Sequence, residues 1–588
     1  MTLLSEASFL VTPNGYKEDK LYAAIPTNGN GDMTVTRATT ATRVNEAGLV
    51  ELVPYNLLSR SEDFANVSWT KLNSSTVVLD ATVANPTGIL STYKYTASNL
   101  SFGGILRNPA TITTATTYTL SFFVKKGNHS FVGIRFNTAA NSDRYITYNF
   151  DTDTINQQGV TATAVASREL FANGWVRFIL VYTSTTTSGT SDIAITNSSG
   201  NTPTALTGTE YMYVYGAQLV EGSSALTYQK TVDRLDIPRI DYTGGGCPSI
   251  LLEPLRTNIV LRSQEFDNAT WSKQTASVTT NSTISPSGVQ DAEKIQCTST
   301  ASTQKYAVQT ISVSVGSYTA SFFVKADTYG SVAVVSLIGG TVNISYFNIT
   351  SGTKGTTTSG TTSTIEDYGD GWYRVTQTAT ETVTTNRIVG IYFANSALNS
   401  ITYSGSLTDS FFIWGAQLEA GAYPTSYIPT TTASVTRNAD ALSRDNIYTN
   451  NLIVAGGGTW FVHLINNTAF TADSNTGAIY LDTSSAGYTN GLMLRKETAG
   501  RIRLQTYVSA SGSFIYTTTT DTVKILFKWN GATADVFVNG ARVVTATPFT
   551  ITNMQYLATN SLIYALIKET MLFPKQLTDA QCIALTTL

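Results

Sequence analysis

The sequence predicts an all-β protein made of three antiparallel β-sandwich (jelly-roll) domains in series. Three observations predict this fold class: an internal duplication, strands with a two-residue alternation of apolar and polar side chains, and the scarcity of segments with helical periodicity. The chain has 588 residues, of which 42% are hydrophobic. This is enough apolar material for several packed cores, and it excludes global disorder.

The duplication is the strongest of the three signals, because four sequence blocks recur in the same order about 200 residues later. Asn56–Lys71 recurs as Asn258–Lys273, Tyr118–Lys125 as Tyr318–Lys325, Gly174–Arg177 as Gly371–Arg374, and Gly216–Leu219 as Gly415–Leu418. Solenoid repeats use only about 20–50 residues. The longer period therefore predicts two homologous domains, over residues 55–232 and 257–436.

The alternation is clearest in Tyr118–Lys125 and in its second copy, Tyr318–Lys325. The two faces of the first copy are Tyr118, Leu120, Phe122 and Val124 on one side, and Thr119, Ser121, Phe123 and Lys125 on the other. A period of two residues is typical of a half-buried strand. Both repeats are therefore predicted to be antiparallel β-sandwiches.

Residues 437–588 do not share the repeat pattern and are predicted to form a third sandwich. Trp460–Leu464 and Lys524–Trp529 are typical of strands. Asn530-Gly531 and Asn539-Gly540 supply residues that tolerate positive φ, as tight hairpin turns require. Near the C-terminus, Thr578–Gln581 has the pattern of a capping box and predicts a short final helix.

Composition and charge exclude several classes of function. Nucleic-acid binding needs clustered Lys and Arg, but charged residues make up only 13% of the chain, the net charge is −3 and no basic run occurs. No apolar stretch approaches the roughly 18–20 residues of a membrane span. The N-terminal sequence lacks the basic start and apolar core of a signal peptide. We therefore expect no nucleic-acid partner, no membrane insertion and no signal peptide.

Few residues are suited to metals, cofactors or nucleophilic catalysis. The chain has two histidines, His129 and His463, and three scattered cysteines, Cys247, Cys297 and Cys582. They form no zinc-ligand pattern and no disulfide framework. No glycine-rich phosphate loop follows a strand and opens a helix. The sequence thus predicts no cofactor and no metal site.

Carboxylates offer only weak candidates for catalysis. Glycosidases need two carboxylates across a cleft, and Glu366, Asp367 and Asp370 are the nearest match. These three residues lie in a polar, turn-like stretch, where a solvated loop is the simpler interpretation. Asp151 and Asp153 also indicate a turn, since a calcium site needs roughly six to eight oxygens. We therefore predict a protein that is not an enzyme, with no catalytic residues.

The repeated motifs resemble those of known families. The Tyr118–Lys125 strand, the Gly174–Arg177 strand and the closing Gly216–Leu219 motif resemble the jelly-roll modules of carbohydrate-binding proteins. Thr36–Asn45 and Asp236–Asn258 resemble segments of phage head-fibre or head-spike proteins and related tail proteins. In the third domain, the Val-Phe-Val-Asn-Gly motif resembles concanavalin A-like or laminin G-like sandwiches.

These resemblances imply a phage virion structural protein, a head fibre or spike, a tail fibre or a capsid decoration. It would be made in the host cytoplasm and displayed on the virion surface for adhesion to host or environmental glycans. They further imply other virion proteins as partners, a homotrimer and an N-terminal virion-attachment segment at residues 1–54. Independently of the resemblance, Gly244–Gly246 and the prolines Pro238, Pro248 and Pro254 mark a turn-rich connector at residues 233–256. A lead strand added to the first sandwich is the alternative for the N-terminal segment.

Aromatic side chains on the polar faces of strands are the predicted carbohydrate-binding residues, because aromatic rings stack on sugar rings. The six candidates are Phe123, Tyr213, Tyr215, Phe323, Phe412 and Trp414. The competing interpretation is that these side chains pack under a loop or a second sheet. A purely structural decoration, a glycan depolymerase and a bacterial surface adhesin are the alternative functions.

Overall fold

The computed structural model describes residues 3–588 apart from 54–55, 73, 99–104, 113, 115, 138–145, 157–163, 185, 187, 199–205, 226–227, 233–235, 466–476, 486–489, 497–500, 508–511, 518–521 and 552. It divides into two compact units. One is Pro54–Leu235, here called the first-repeat unit. The other combines Met1–Val53 with Asp236–Leu588 and is called the composite unit.

The N-terminal segment belongs to the composite unit and begins with a short 3-10 helix, Leu3–Glu6. Its strands are β1 (Phe9–Lys17), β2 (Lys20–Ile25), β3 (Met33–Thr36), β4 (Thr42–Val44) and β5 (Val50–Leu52). The last two pair as an antiparallel hairpin.

The first-repeat unit is an antiparallel sandwich. Its strands are β6 (Thr70–Leu72), β7 (Thr76–Asp80), β8 (Thr92–Thr96), β9 (Ile105–Thr111), β10 (Thr117–Lys126), β11 (Phe131–Asn137), β12 (Ile146–Asn149), β13 (Thr154–Asn156), β14 (Val165–Leu170), β15 (Trp175–Thr183), β16 (Ser188–Ile195) and β17 (Tyr211–Glu221). Within the described residues they form two six-stranded sheets. Sheet A1 has the order β14-β15-β10-β17-β8-β7, and sheet B1 the order β13-β12-β11-β16-β9-β6.

The connector and second repeat follow. The connector strands are β18 (Ile240–Asp241) and β19 (Ser249–Leu252), and β20 (Arg256–Asn258) crosses from the connector into the second repeat. The second repeat contains β21 (Ser272–Gln274), β22 (Ala276–Thr283), β23 (Ala292–Cys297), β24 (Ser302–Gln304), β25 (Tyr306–Val313), β26 (Gly316–Ala326), β27 (Ser331–Ser336), β28 (Asn343–Asn348), β29 (Thr353–Thr357), β30 (Thr362–Asp367), β31 (Trp372–Glu381), β32 (Thr385–Phe393), β33 (Thr402–Ser404) and β34 (Ser410–Ala420).

The second repeat reproduces the sandwich of the first. Sheet A2 has the order β30-β31-β26-β34-β23-β22, and sheet B2 the order β21-β25-β32-β27-β28-β29. Strand for strand, sheet A2 matches sheet A1. The predicted inward face of the duplicated strand is confirmed in both copies, because Leu120 and Phe122 lie in one core and Ala320 and Phe322 in the other.

The C-terminal part of the chain contributes β35 (Val435–Arg437), β36 (Ala441–Arg444), β37 (Gly458–Ile465), β38 (Gly477–Asp482), β39 (Gly491–Lys496), β40 (Arg501–Tyr507), β41 (Gly512–Thr517), β42 (Thr522–Trp529), β43 (Thr533–Val538), β44 (Ala541–Pro548), β45 (Tyr556–Thr559), β46 (Ala565–Phe573) and the helix α1 (Asp579–Thr586). The predicted capping box begins α1, since the Thr578 side chain accepts from the Gln581 N–H and the Gln581 side chain accepts from the Thr578 N–H. Among the described residues, none of the helices is long and apolar enough to span a membrane.

The N-terminal strands form part of the sheet of the C-terminal domain. The sequence predicted a separate attachment segment at residues 1–54 instead. The described part of this sheet runs β41-β40-β39-β38-β45-β36-β3-β2-β1-β46-β37-β42-β43-β44, with β19 attached to β46 and β18 to β19. Phe9 pairs with Leu572, and Val35 pairs with Leu442. Phe9 also lies in the same hydrophobic core as Trp460. The N-terminal segment therefore supplies apolar side chains and backbone hydrogen bonds that this domain needs for closure.

Candidate functional site

The outer faces of sheets A1 and A2, turned away from the sandwich cores, carry all six predicted aromatic residues. Four of them are buried: Phe123 is 4% exposed, Tyr215 7%, Phe323 1% and Trp414 2%. Tyr213 and Phe412 are partly exposed. The alternation of β10 and β26 places Phe123 and Phe323 on the outer face as predicted, but in both repeats other segments fold over that face.

A segment that follows the last strand of each repeat provides the first cover. In the first repeat the Tyr228 ring lies 5.6 Å from the Phe123 ring, and its hydroxyl lies 2.8 Å from Ser61 Oγ. In the second repeat the Tyr427 ring lies 6.0 Å from Phe323, with its hydroxyl 2.6 Å from Ser263 Oγ. A buried aromatic cluster thus forms on the outer face of each A sheet.

The duplicated Gly-Ala-Gln-Leu motif anchors this cover. The Gln218 side chain accepts a hydrogen bond from the Gln229 N–H at 2.6 Å, and Gln417 accepts one from the Ile428 N–H at 2.7 Å. The glycine of the motif is also required. Gly415 has φ +61°, and a Cβ there would lie 2.8 Å from the Phe323 ring. The duplication therefore preserves a packing arrangement in this region.

A loop before β8 or β23 provides the second cover. The Trp175 indole N–H donates to the Ala84 carbonyl at 2.9 Å, and the Trp372 indole N–H donates to the Ile284 carbonyl at 3.1 Å. Each tryptophan is at most 2% exposed. Trp175 and Trp372 are therefore packing residues of the outer-face aromatic clusters.

One row of side chains on each outer face lies at the edge of this cover and keeps exposed surface. In sheet A1, Tyr213 pairs with Lys125 on one side and with Lys94 on the other. In sheet A2, Phe412 pairs with Lys325 and with Lys294. All six residues are partly exposed. We call these two sets the lysine–aromatic rows.

The row of the first repeat continues into a second tyrosine. The Tyr211 and Tyr213 rings meet edge to face at 5.6 Å, and Lys94 Nζ lies 3.9 Å from the centre of the Tyr211 ring. Partial burial, with Tyr211 and Asp80 nearby, raises the pKa of Tyr213 above its usual value. The phenol therefore stays neutral at physiological pH and keeps its hydroxyl proton.

The sequence predicted the aromatic residue of each row as a binding residue but not the two lysines beside it. A signal was present, because Lys94 and Lys294 are separated by the repeat period, as are Lys125 and Lys325. Strand registers within a sheet are needed to place Lys94 beside Tyr213, since the two belong to strands far apart in the chain.

An arginine lies beneath the buried aromatic cluster of each repeat. The Arg177 guanidinium lies 5.5 Å from the centre of the Phe123 ring and 3.5 Å from Glu169. In the second repeat Arg374 lies 5.2 Å from Phe323 and pairs across the strands with Glu366. Both arginines also donate to a buried serine, Ser121 or Ser321, which indicates a packing role.

The carboxylates considered for catalysis occupy different environments. Burial raises the pKa of Glu366, while Arg374 opposes that rise. Asp367 is exposed and caps the following turn by accepting from the Gly369 N–H. Asp370 lies in the same turn with φ +50°. Asp367 and Asp370 thus act as turn residues, as the sequence indicates.

Asp151 and Asp153 form ion pairs with basic side chains of the same domain. Asp151 pairs with Lys126, and Asp153 pairs with Arg168. Hydrogen bonds from Arg168 and Tyr148 lower the pKa of Asp153 to about 2. The described residues contain no cluster of three or more His, Cys, Asp or Glu suited to a metal ion.

A cavity of about 80 Å³ in the composite unit borders the outer face of the second repeat. Its polar lining includes Arg43, Asp241, Glu366, Tyr368 and Arg374. This volume is about half that of the roughly 150 Å³ cavity that binds one benzene molecule, so the cavity is small for a sugar ring. Of the six predicted carbohydrate-binding residues, the two that keep exposed surface, Tyr213 and Phe412, lie in the lysine–aromatic rows.

No protein-family model and no curated protein matches the chain. Among solved structures, the CBM22-1–CBM22-2 tandem domain of Paenibacillus barcinonensis Xyn10C is 11% identical, with a TM-score of 0.21, over 62% of this chain and 97% of that chain. The CBM40 of the Ruminococcus gnavus IT-sialidase, bound to α2,3-sialyllactose, is 12% identical, with a TM-score of 0.19, over 24% of this chain and 86% of that one.

Domains LG4–5 of the mouse laminin α1 chain are 10% identical, with a TM-score of 0.14, over 47% of this chain and 90% of that chain. The chain is an all-β protein of antiparallel β-sandwiches, similar at low identity to carbohydrate-binding modules and laminin LG domains.

Proposed function

We propose that the two repeats are glycan-binding modules and that each binds a sugar at its lysine–aromatic row. The observation that supports this proposal is the recurrence of the same row in both repeats, with an aromatic ring between two lysines and exposed surface on all of them. A Tyr or Phe ring can stack on the apolar face of a pyranose, and the flanking ammonium groups can donate to its oxygens.

The proposed sites are open surfaces, so each binds weakly. Open sites bury less ligand than the deep pockets that give tight small-molecule binding. A protein with two such modules, present in many copies on one particle, gains affinity through multivalency. The function of the protein would then be adhesion to a surface that carries many identical glycans.

We further propose that the protein is a phage virion structural protein, a fibre, spike or decoration that displays these modules as a homotrimer bound to other virion proteins. This setting is supported by the resemblance of Thr36–Asn45 and Asp236–Asn258 to segments of phage head-fibre and tail proteins. Mass spectrometry of gradient-purified particles, with immunogold labelling, tests it. Absence of the protein from intact particles would overturn the virion setting and leave the binding proposal intact.

The binding proposal is tested on an array of bacterial surface glycans, with released reducing ends measured in the same samples. We expect binding without release for the intact chain, and at least a tenfold loss of binding for Tyr213→Ala combined with Phe412→Ala. Tyr306→Ala is the matched control, because Tyr306 is a partly exposed aromatic residue on β25 of the other sheet.

Each outcome of this experiment decides between the candidate functions. Release of reducing ends would identify a depolymerase, and absence of any binding would favour a purely structural decoration. Binding that the double variant retains would show that the sugar binds elsewhere than at the lysine–aromatic rows.

A further inference from the structure

We propose that the lysine–aromatic rows recognise an acidic sugar, a pyranose that carries a carboxylate, such as a uronic acid unit of an acidic polysaccharide. This inference rests on the glycan-binding function proposed above and narrows its ligand class. The observation behind it is that the lysines found in both repeats lie in different environments.

One repeated lysine pair has a structural role. Lys71 Nζ donates to the carbonyls of Ala65 at 2.8 Å and Asn66 at 2.7 Å. Its counterpart Lys273 donates to the carbonyls of Phe266, Asp267 and Asn268 at 2.8–3.0 Å. These ammonium groups use their donors to hold a loop, which explains why the lysine recurs.

The lysines of the central strands have no such role. Among the residues that the structure describes, the side chains of Lys125 and Lys325 make no hydrogen bond and no ion pair. Both are partly exposed and lie directly beside the aromatic residue of their row. Packing and loop anchoring therefore do not explain why these two ammonium groups recur.

The second lysine of each row is held loosely. Lys94 Nζ lies over the Tyr211 ring at 3.9 Å. Lys294 Nζ is 3.8 Å from Asp327 Oδ2, which is longer than a hydrogen bond. Both ammonium groups can turn towards a ligand at little cost, since a partly exposed ion pair contributes only about 0–1 kcal/mol.

The spacing of the row fits one sugar unit. Neighbouring strands are about 4.8 Å apart. The two lysines lie on the strands on either side of the aromatic residue, so their backbones are about 10 Å from each other. A pyranose stacked on the central ring then lies between two ammonium groups. A carboxylate on its rim can accept charge-assisted hydrogen bonds, which are about twice as strong as neutral ones.

The charge balance of each row also favours an anion. Asp80 interacts with Lys94 and Asp327 with Lys294, and within the described part of the chain no carboxylate forms an ion pair with Lys125 or Lys325. Lys125 and Lys325 remain uncompensated, and each row keeps a net positive charge. Because only 13% of the residues are charged, two ammonium groups beside each exposed ring are a specific feature of these surfaces.

The test compares the binding of the full chain to immobilised polygalacturonate, its methyl ester, neutral dextran and dextran sulfate. We expect at least a tenfold preference for polygalacturonate over the ester, and binding that weakens as NaCl is raised. Lys125→Gln combined with Lys325→Gln should lower that affinity at least tenfold. The control Lys126→Gln with Lys354→Gln removes the same charge from lysines outside the rows and should bind like the wild type.

Three results would overturn the inference. Equal binding of the acid and its methyl ester would show that the carboxylate is not recognised. Equal binding of polygalacturonate and dextran sulfate would indicate attraction to any polyanion. Neutral glycans that bind through Tyr213 and Phe412, with no effect of the lysine variants, would leave the proposed function standing and remove the acidic ligand class. The absence of binding to every glycan would instead contradict the proposed function itself.

Discussion

Arg37 and Asp440 form a buried ion pair at 2.6 Å although they are 403 residues apart in the chain. Arg239 of the connector bridges Asp440 and Glu253, and Arg437 pairs with Glu253 at 2.7 Å. All five side chains are at most 2% exposed. This network joins the N-terminal segment through Arg37, the connector through Arg239 and Glu253, and the start of the C-terminal domain through Arg437 and Asp440.

Removal of one carboxylate from this network should destabilise the composite unit strongly. Asp440→Asn leaves Arg37 without its carboxylate partner and Arg239 with Glu253 alone, and breaking a buried pair in this way costs about 3–5 kcal/mol. The free energy of unfolding in urea, followed by tryptophan fluorescence, measures the loss. Asp579→Asn is the control, because Asp579 pairs with Lys528 and its side chain is 50% exposed; we expect less than about 1 kcal/mol there. Equal losses in the two variants would contradict this role of the network.

Acid should weaken the same network. Burial disfavours the ionised form of Glu253, but Arg437 and Arg239 outweigh it and lower its pKa to about 2. Arg239 and Arg37 likewise overcome burial and lower the pKa of Asp440. Carboxylates with a lowered folded-state pKa stabilise the fold above their unfolded pKa of about 4–4.5. The stabilisation is lost as the pH falls from there towards 2.

Urea unfolding between pH 7 and pH 2.5 checks this dependence. The wild type should lose stability steadily below about pH 4.5. Glu253→Gln should be less stable at pH 7 and lose less on acidification, since one of the titrating groups is absent. Parallel curves for the two proteins would show that other carboxylates cause the acid sensitivity.

Local features of the fold could be predicted from the sequence because they depend on local periodicity. The alternation in Tyr118–Lys125 assigned Leu120 and Phe122 correctly to the core, and the capping box at Thr578 predicted the final helix. The place of the N-terminal segment could not be found in this way, since Phe9 pairs with Leu572. No local pattern encodes that partner.

The candidate site was predictable only in part for the same reason. Period-two alternation places Phe123 on the outer face, but its cover comes from Tyr228 and from the loop before β8. Both covering segments are distant in sequence. The buried network did leave a signal, because Val-Thr-Arg occurs at 35–37 and again at 435–437, two repeat periods apart.

The outer cover of the second repeat should be sensitive to a single methyl group. Gly415→Ala adds a Cβ to a residue with a left-handed backbone conformation, and this Cβ would lie 2.8 Å from the Phe323 ring. Gly360→Ala is the matched control, because Gly360 has φ +84° but no atom within 4 Å of its Cβ position. Both variants carry backbone strain of about 1–2 kcal/mol, and overpacking adds about 1–3 kcal/mol at Gly415 alone. The midpoints of thermal unfolding of the two variants measure this difference, and we expect the lower midpoint for Gly415→Ala. Equal midpoints would refute the packing argument.

The three cysteines should differ sharply in reactivity. Cys247 is exposed, whereas Cys297 and Cys582 are buried. Burial raises the pKa of Cys582 to about 11, which further lowers its thiolate fraction at neutral pH. Maleimide labelling with mass spectrometry should therefore modify Cys247 alone in the native protein and all three cysteines in guanidinium. Cys247→Ser should abolish the native labelling, and rapid native labelling of Cys582 would show that its core opens.

Glu293 should make the composite unit less stable as the pH rises through neutrality. The residue is 3% exposed, and its carboxyl group accepts from the N–H groups of Phe266 and Asp267 at 2.6 and 3.0 Å. Burial, together with the nearby Asp267 carboxylate, raises its pKa to about 8. The folded state therefore keeps a proton that the unfolded state has lost above about pH 4.5. The stability contributed by Glu293 is present below that pH and is lost as the pH rises to about 8.

Glu293→Gln isolates this effect, because the amide oxygen can still accept both backbone hydrogen bonds while the charge is absent at every pH. The first repeat already has a neutral residue at the corresponding position, Tyr93, whose hydroxyl donates to Asp63 at 3.1 Å. Urea unfolding at pH 5 and pH 8 should show a decline for the wild type that is smaller in Glu293→Gln. The same decline in both proteins would mean that Glu293 ionises without cost in the folded state and that the carboxyl group titrates normally.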